Sequence, residues 1–175
     1  MEGRENHIKK KIIEEVQIES MQLIGVKQLV WTVLIEDKKY QPGDIVLDPE
    51  FTLQLKSGQE TVSIDMVVIL AGMKFLVIKC SSSDIESWER YVTAFARAVN
   101  EYQIPYAMVT DGEHARIIDV LQGTNIGVTI HDIFTRNEAL EKIKNFKKVP
   151  CPEKRLEREK SIVHAFEGIK CPVIQ

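Results

Sequence analysis

The sequence predicts an α/β fold, a mixed sheet flanked by helices. Three observations lead there. Two short and almost wholly apolar runs, Ser63–Leu70 and Lys74–Cys80, are separated by Ala71, Gly72 and Met73. Runs of that length and character read as strands covered on both faces. A strongly periodic helix follows, in which Ile85, Trp88, Val92, Phe95, Val99 and Tyr102 recur at three- and four-residue steps and define one buried stripe. Beyond it, Pro105–Thr110 and Ala115–Leu121 flank Asp111 and Gly112, which is a hairpin signature. Strands on either side of a helical crossover call for helices layered on a sheet.

The remaining elements follow in order. Ile8, Ile12, Ile13 and Val16 fall at helical spacing with Lys9, Lys10 and Lys11 interleaved, which predicts a helix over about 5–16. Leu23, Val26, Val30, Val33 and Leu34 predict a second over about 20–36, with Gly25 weakening its first turn. The two read equally as one kinked helix. Asp37–Asp44 is a loop. From Phe51 to Leu55 apolar and polar residues alternate, which marks a half-exposed strand, and Ser57–Glu60 turns the chain. Ser83 and Glu86 have capping-box spacing and open the periodic helix, which stops before Pro105. Gln122–Asn125 forms another turn. Thr135 and Glu138 repeat the capping-box pattern, opening a helix to about Lys147 that Val149–Pro152 breaks. A last helix runs from about Glu153 to Phe166 and ends at Gly168. One domain is expected over 1–175, with its core at about 20–123 and a C-terminal helical extension at about 135–170.

Composition excludes some classes of protein. The chain has 175 residues, 44% hydrophobic and 28% charged, enough for a domain with a real core. No uninterrupted apolar run approaches the roughly 18–20 residues that span a bilayer, and Met1–His7 is polar. The expectation is a cytoplasmic protein without membrane contact. The formal net charge of −3 carries no global signal for nucleic acid. One local excess exists: residues 141–160 hold eight basic and four acidic side chains, a net +4, which reads as solvated helix faces. Cys80, Cys151 and Cys171 are odd in number and far apart, which argues against a disulfide framework or a zinc knuckle. His7, His114, His131 and His164 show no ligand spacing.

Asp65 and Lys79 are the charges that the two apolar strands carry. Burying an isolated charge is costly, so either the two pair structurally or they build a site. Loop parity decides whether they meet. A two-residue turn at Ala71-Gly72 alone sends Lys79 to the opposite face, whereas a three-residue loop or a bulge sets it beside Asp65. Alanine is a poor residue for positive φ, so the longer loop is expected and the charges should be adjacent. An aspartate beside a lysine at a strand end can hold Mg²⁺ and steady the charge that develops on a phosphate.

The ordered set of motifs resembles the PD-(D/E)XK nuclease superfamily. Within it the chain looks more like one branch, the N-terminal nuclease domain of type I restriction enzyme R subunits and small stand-alone predicted restriction endonucleases. The residues that carry the resemblance are Val26–Leu29, Pro49–Phe51, Ser63–Val68, Leu76–Cys80, Glu89-Arg90, Ala96-Arg97 and Ile104–Ala115. The resemblance implies a restriction-endonuclease-like αβββαβ core with C-terminal helices added. It implies a Mg²⁺- or Mn²⁺-dependent endonuclease acting on DNA, with restriction-system subunits as partners and a homodimer as a further option.

Two departures stand out. The family triplet puts a carboxylate where this chain has Val77, and the first core helix has Leu23 and Ile24 where the family often carries Glu. In this superfamily the missing carboxylate can move to the following helix. At ~100° per residue, Glu89 sits about a quarter turn from the centre of the apolar stripe and Glu86 nearly half a turn. Glu89 is therefore the candidate second metal ligand. The expected site is Asp65 and Glu89 on metal with Lys79 assisting the water, and Glu50 and Arg97 as accessory candidates. Whether the chain is an enzyme stays open. The alternative is a degenerate nuclease-fold module that binds nucleic acid or a restriction-system partner without cutting.

Overall fold

The computed structural model describes residues 2–169. Residue 170, the far end of the expected C-terminal extension, and Cys171 lie outside them. The first element, α1 (Glu2–Thr32), is one continuous helix rather than two. It widens into a π-helical turn at Val33–Asp37, where the Lys38 amide donates to Val33 O, five residues back, at 2.9 Å. The helical stretch Gly3–Asp37 is long and apolar enough to cross a membrane by length and composition, which a search for uninterrupted apolar runs misses. Its second half is committed to the core, because Val26, Val30, Val33 and Leu34 are buried against the sheet.

Six strands form one sheet in the order β1-β4-β5-β6-β7-β8. They are β1 (Ile45–Leu47), β4 (Met66–Leu70), β5 (Met73–Cys80), β6 (Tyr106–Thr110), β7 (Ala115–Asp119) and β8 (Thr124–Gly127). Among the described strands only β5 and β6 pair in parallel, and α2 (Ile85–Ala98) makes the crossover between them. β2 (Glu50–Leu55) and β3 (Gly58–Ser63) form a separate hairpin. The sheet is mixed and flanked by helices, as the sequence predicts.

Strand alternation divides the core into two layers. Val68, Leu76, Ile78 and Met108 meet α1 and α3 (Arg136–Lys144). Val67, Val77, Ala107 and Val109 meet α2, the β2–β3 hairpin and α4 (Glu153–Glu167). Phe51 of β2 packs edge-on against Phe95 of α2 at 5.4 Å.

Several local expectations are corrected. Gly58–Ser63, whose first residues read as a turn, is a strand, and Thr124–Gly127 also pairs into the sheet. The N-cap of α2 is Asp84, whose Oδ2 accepts from Ser87 Oγ at 2.5 Å; Ser83 is not the cap. α3 stops at Lys144 rather than Lys147. Its start is as expected: the Thr135 amide donates to Glu138 Oε2 at 2.7 Å and the Glu138 amide donates to Thr135 Oγ at 3.3 Å.

The β4–β5 turn is also corrected. It is a two-residue turn with Ala71 at φ 50° and Gly72 at φ 74°, joining Leu70 to Met73. Parity is restored within the strand instead. Ile69 pairs with Lys74 and Val68 with Leu76, so Phe75 is an extra residue. That bulge turns Phe75 and Leu76 to the same layer and shifts all that follows by one. The register Met66↔Ile78 then carries one step further to Asp65 and Lys79.

Candidate functional site

Asp65 sits at the start of β4, an interior strand, in the break between β3 and β4. It is buried, and three donors reach its carboxylate. Lys79 comes from the α2 side of the sheet, with its Nζ 3.5 Å from Asp65 Oδ2. Lys27 comes from α1 on the opposite layer, with its Nζ 3.0 Å from Asp65 Oδ1. The Cys80 amide donates to Asp65 Oδ2 at 2.6 Å. The expected meeting of Asp65 and Lys79 is observed, and Lys27 joins it.

A second carboxylate shares this cluster. Asp48 Oδ1 lies 3.3 Å from Lys27 Nζ. Asp48 follows β1 in a left-handed conformation (φ 47°), and its amide donates to Asp65 O at 2.9 Å. That hydrogen bond ties the β1–β2 corner to the site. The signal available in the sequence was Asp48 directly before Pro49, a turn-forming pair whose aspartate tolerates positive φ. Lys27 thus bridges two carboxylates, as a bound cation would.

The electrostatics follow from this packing. Burial alone would lower the pKa of Lys27, but Asp65 and Asp48 outweigh it and hold the ammonium above the usual lysine range. The Cys80 thiol is pushed up to about 12, first by burial and then by Asp65. It is a packed thiol rather than a nucleophile. Lys79 donates to Cys80 O at 2.8 Å and lies 4.7 Å from the centre of the Trp88 ring. One carboxylate, one carbonyl and one aromatic face therefore fix its ammonium.

The other expected site residues lie elsewhere. Glu89 faces β7, with Oε2 3.7 Å from Arg116 Nε, and Glu86 reaches the same guanidinium at 3.8 Å. Glu50 opens β2, exposed, opposite Ser63. Arg97 is buried: it donates to Val120 O at 3.0 Å and to Glu159 Oε1 at 3.2 Å. Val77 is fully buried in the apolar layer beneath α2. Among the described residues, no three carboxylate, histidine or cysteine side chains gather so as to hold a metal ion.

A divalent ion asks for several free oxygen ligands, and Mg²⁺ for near-octahedral ones. Here both oxygens of Asp65 are engaged and two ammonium groups stand beside it. The donor set as arranged does not fit a metal.

Glu159 of α4 was not identified from the sequence. It is fully buried, 2.7 Å from Arg90 Nη1 and 3.2 Å from Arg97 Nη1, with Arg155 Nε at 4.0 Å. Burial opposes its ionisation, but Arg90 and Arg97 hold its pKa below the usual carboxylate range. This cluster clamps α4 onto α2.

The family model described as Type I restriction enzyme R protein N terminus matches residues 25–133, which is more than half of the chain. No curated protein matches the chain, and no solved structure does. The matched span runs from the second half of α1 to the end of β8 and its following turn, so it contains Lys27, Asp48, Asp65 and Lys79. The chain belongs to the family of type I restriction enzyme R protein N termini.

Proposed function

We propose that this chain is a PD-(D/E)XK-type module of a restriction system in which a lysine–aspartate cluster has replaced the metal centre, so that it acts by binding DNA or other subunits rather than by hydrolysis. One observation carries the reading. Asp65, the residue on which a metal would depend, is neutralised by Lys27 from one layer and Lys79 from the other. Two further observations support it: Val77 is apolar and buried where the resemblance puts a carboxylate, and Glu89 is held by Arg116. A buried pair is weak evidence of stability but a good device for fixing one geometry. Here it locks the first helix to the strand ends.

A second reading has a specific observation in its favour. Lys27 Nζ stands between Asp48 and Asp65 as a cation would. If Lys27 withdraws, Asp48 and Asp65 present oxygen ligands to Mg²⁺ or Mn²⁺, and Lys79 is placed to steady charge on a phosphate. Asp48 then takes the role expected of Glu89, and the chain is an endonuclease.

Supercoiled plasmid incubated with the protein and Mg²⁺ or Mn²⁺ separates the two. The binding reading expects no nicking by wild type in either metal. Nicking by wild type that disappears in both Asp65→Ala and Asp48→Ala supports the endonuclease instead.

A further inference from the structure

The β2–β3 hairpin has one open edge. Its register, from Glu50↔Ser63 to Leu55↔Gly58, runs without a shift. One step further, the Ile64 amide donates to Pro49 O at 3.4 Å. In an antiparallel pair the inter-strand bonds fall on alternate residues. Pro49, Phe51, Leu53 and Leu55 therefore turn their backbone groups to β3, and Glu50, Thr52 and Gln54 turn theirs away. Among the described residues β2 pairs with β3 alone, and no backbone partner reaches Thr52 or Gln54 from the outer side.

The two ends of the six-stranded sheet are better guarded. β1 is only three residues long. The β7–β8 ladder shifts register, and donors along β8 are taken up by side chains: the Gly127 amide donates to Asn125 Oδ1 at 3.2 Å and the Val128 amide to Asp132 Oδ2 at 2.9 Å. β2 has six residues, an even register, and no lysine or proline within it. An edge strand without such guards is a template for one more strand.

A groove of about 330 Å³ lies beside that edge. Thr52 and Gln54 line it together with Arg97 and Ala98 of α2 and Leu156 and Lys160 of α4. Its size, at the low end of the roughly 300–1,000 Å³ of ligand sites, suits one chain lying along β2 rather than the flank of a second domain. Charge indicates what that chain carries. Arg90, Arg97 and Arg155 share the single carboxylate of Glu159. Lys160 lies 3.8 Å from Glu157, and Glu101 is the remaining charge on the lining. These four cations and three carboxylates leave a net +1, which one carboxylate on the incoming chain would balance.

We propose that an extended segment of a partner protein adds to β2 as a third strand of the hairpin sheet. Its backbone bonds to Thr52 and Gln54, and its groove-facing side chains are apolar over Ala98 and Leu156, with one carboxylate toward Lys160. Main-chain bonds then supply affinity, and the alternate side chains supply selectivity. The proposal does not depend on whether the Asp65 site takes a metal.

Fluorescence anisotropy on the 175-residue chain tests it, with the labelled peptide Val-Thr-Val-Thr-Asp-Thr-Val-Thr and a counterpart in which lysine replaces the aspartate. The aspartate peptide gives a saturable rise and the lysine peptide binds several-fold more weakly. Hydrogen exchange on the wild-type complex slows at the Thr52 and Gln54 amides and is unchanged at Leu53, which already bonds to β3. Thr52→Pro and Gln54→Pro each remove an outward N–H and spare the β3 ladder, so each weakens the peptide several-fold with an unchanged circular dichroism spectrum. No saturable rise up to about 1 mM overturns the proposal, as does a lysine peptide that binds as tightly. Exchange that slows elsewhere and not at Thr52 and Gln54 overturns it whether or not the proline variants fold. A wild-type dimer in sedimentation that Thr52→Pro splits makes the edge a seam between two copies and overturns it as well.

Discussion

Lys27 Nζ lies 3.0 Å from Asp65 Oδ1, so the carboxylate at the start of β4 is held by a helix from the opposite layer. The same ammonium reaches Asp48 at 3.3 Å. This single side chain joins α1, the β1–β2 corner and the start of β4.

Removing that ammonium leaves Asp65 with fewer partners. Lys27 is about a third exposed, so the Coulomb gain is screened and the cost is moderate. Lys27→Met should lower unfolding free energy by roughly 1–3 kcal/mol, the scale of hydrogen bonds to a charged group. The pH dependence has a definite sign. Lys27 is raised in the folded state, so its contribution is full below its ordinary value of 10.5 and fades as pH rises through the raised one. Denaturant melts of wild type and Lys27→Met should therefore differ at neutral pH and converge in alkali.

Glu159 gives the opposite sign. Its pKa is depressed by Arg90 and Arg97, so its stabilisation is present above the ordinary glutamate value of 4.5 and is lost as pH falls through the folded one. Breaking a buried ion pair by removing one partner costs roughly 3–5 kcal/mol. Glu159→Gln should lose about that much at neutral pH, and the gap to wild type should narrow below pH 4.5 in thermal melts.

The β4–β5 turn stores strain at Ala71, whose φ of 50° is disfavoured for a residue with a Cβ. Ala71→Gly should stabilise the protein by about 1 kcal/mol, and Ala71→Asn by somewhat less. Gly72→Ala puts a Cβ at φ 74° and should destabilise. Chemical denaturation midpoints order the three.

Gly25 lies inside α1, and a Cβ built there meets nothing within 4 Å. Glycine in a helix interior costs about 1 kcal/mol relative to alanine. Gly25→Ala should raise the melting temperature with no loss of solubility, and amide exchange should slow on both sides of residue 25.

What was legible in the sequence was local. The stripe of α2, the β6–β7 hairpin and the Thr135–Glu138 cap each follow from residues a few positions apart, where period and turn chemistry decide. Adjacency of Asp65 and Lys79 follows from either a longer loop or a bulge, and the chain uses the bulge: it takes the tight turn despite alanine's resistance to positive φ and corrects parity at Phe75. Nothing in an apolar run marks which residue will bulge. The contacts that fix the site were not legible. Lys27 and Asp65 are 38 positions apart on different layers, and their meeting depends on how α1 crosses the sheet. Glu159 reads in sequence as one more charge on a solvated helix, because its burial comes from the packing of α4 on α2, which also brings Arg90 and Arg97 to it.

The central claim is that lysine, rather than metal, completes the Asp65 site. Mn²⁺ titration followed by electron paramagnetic resonance tests it directly, on wild type and Asp65→Asn. The account predicts that wild type takes up no more Mn²⁺ than Asp65→Asn does. A one-to-one Mn²⁺ site in wild type that vanishes in Asp65→Asn would contradict it.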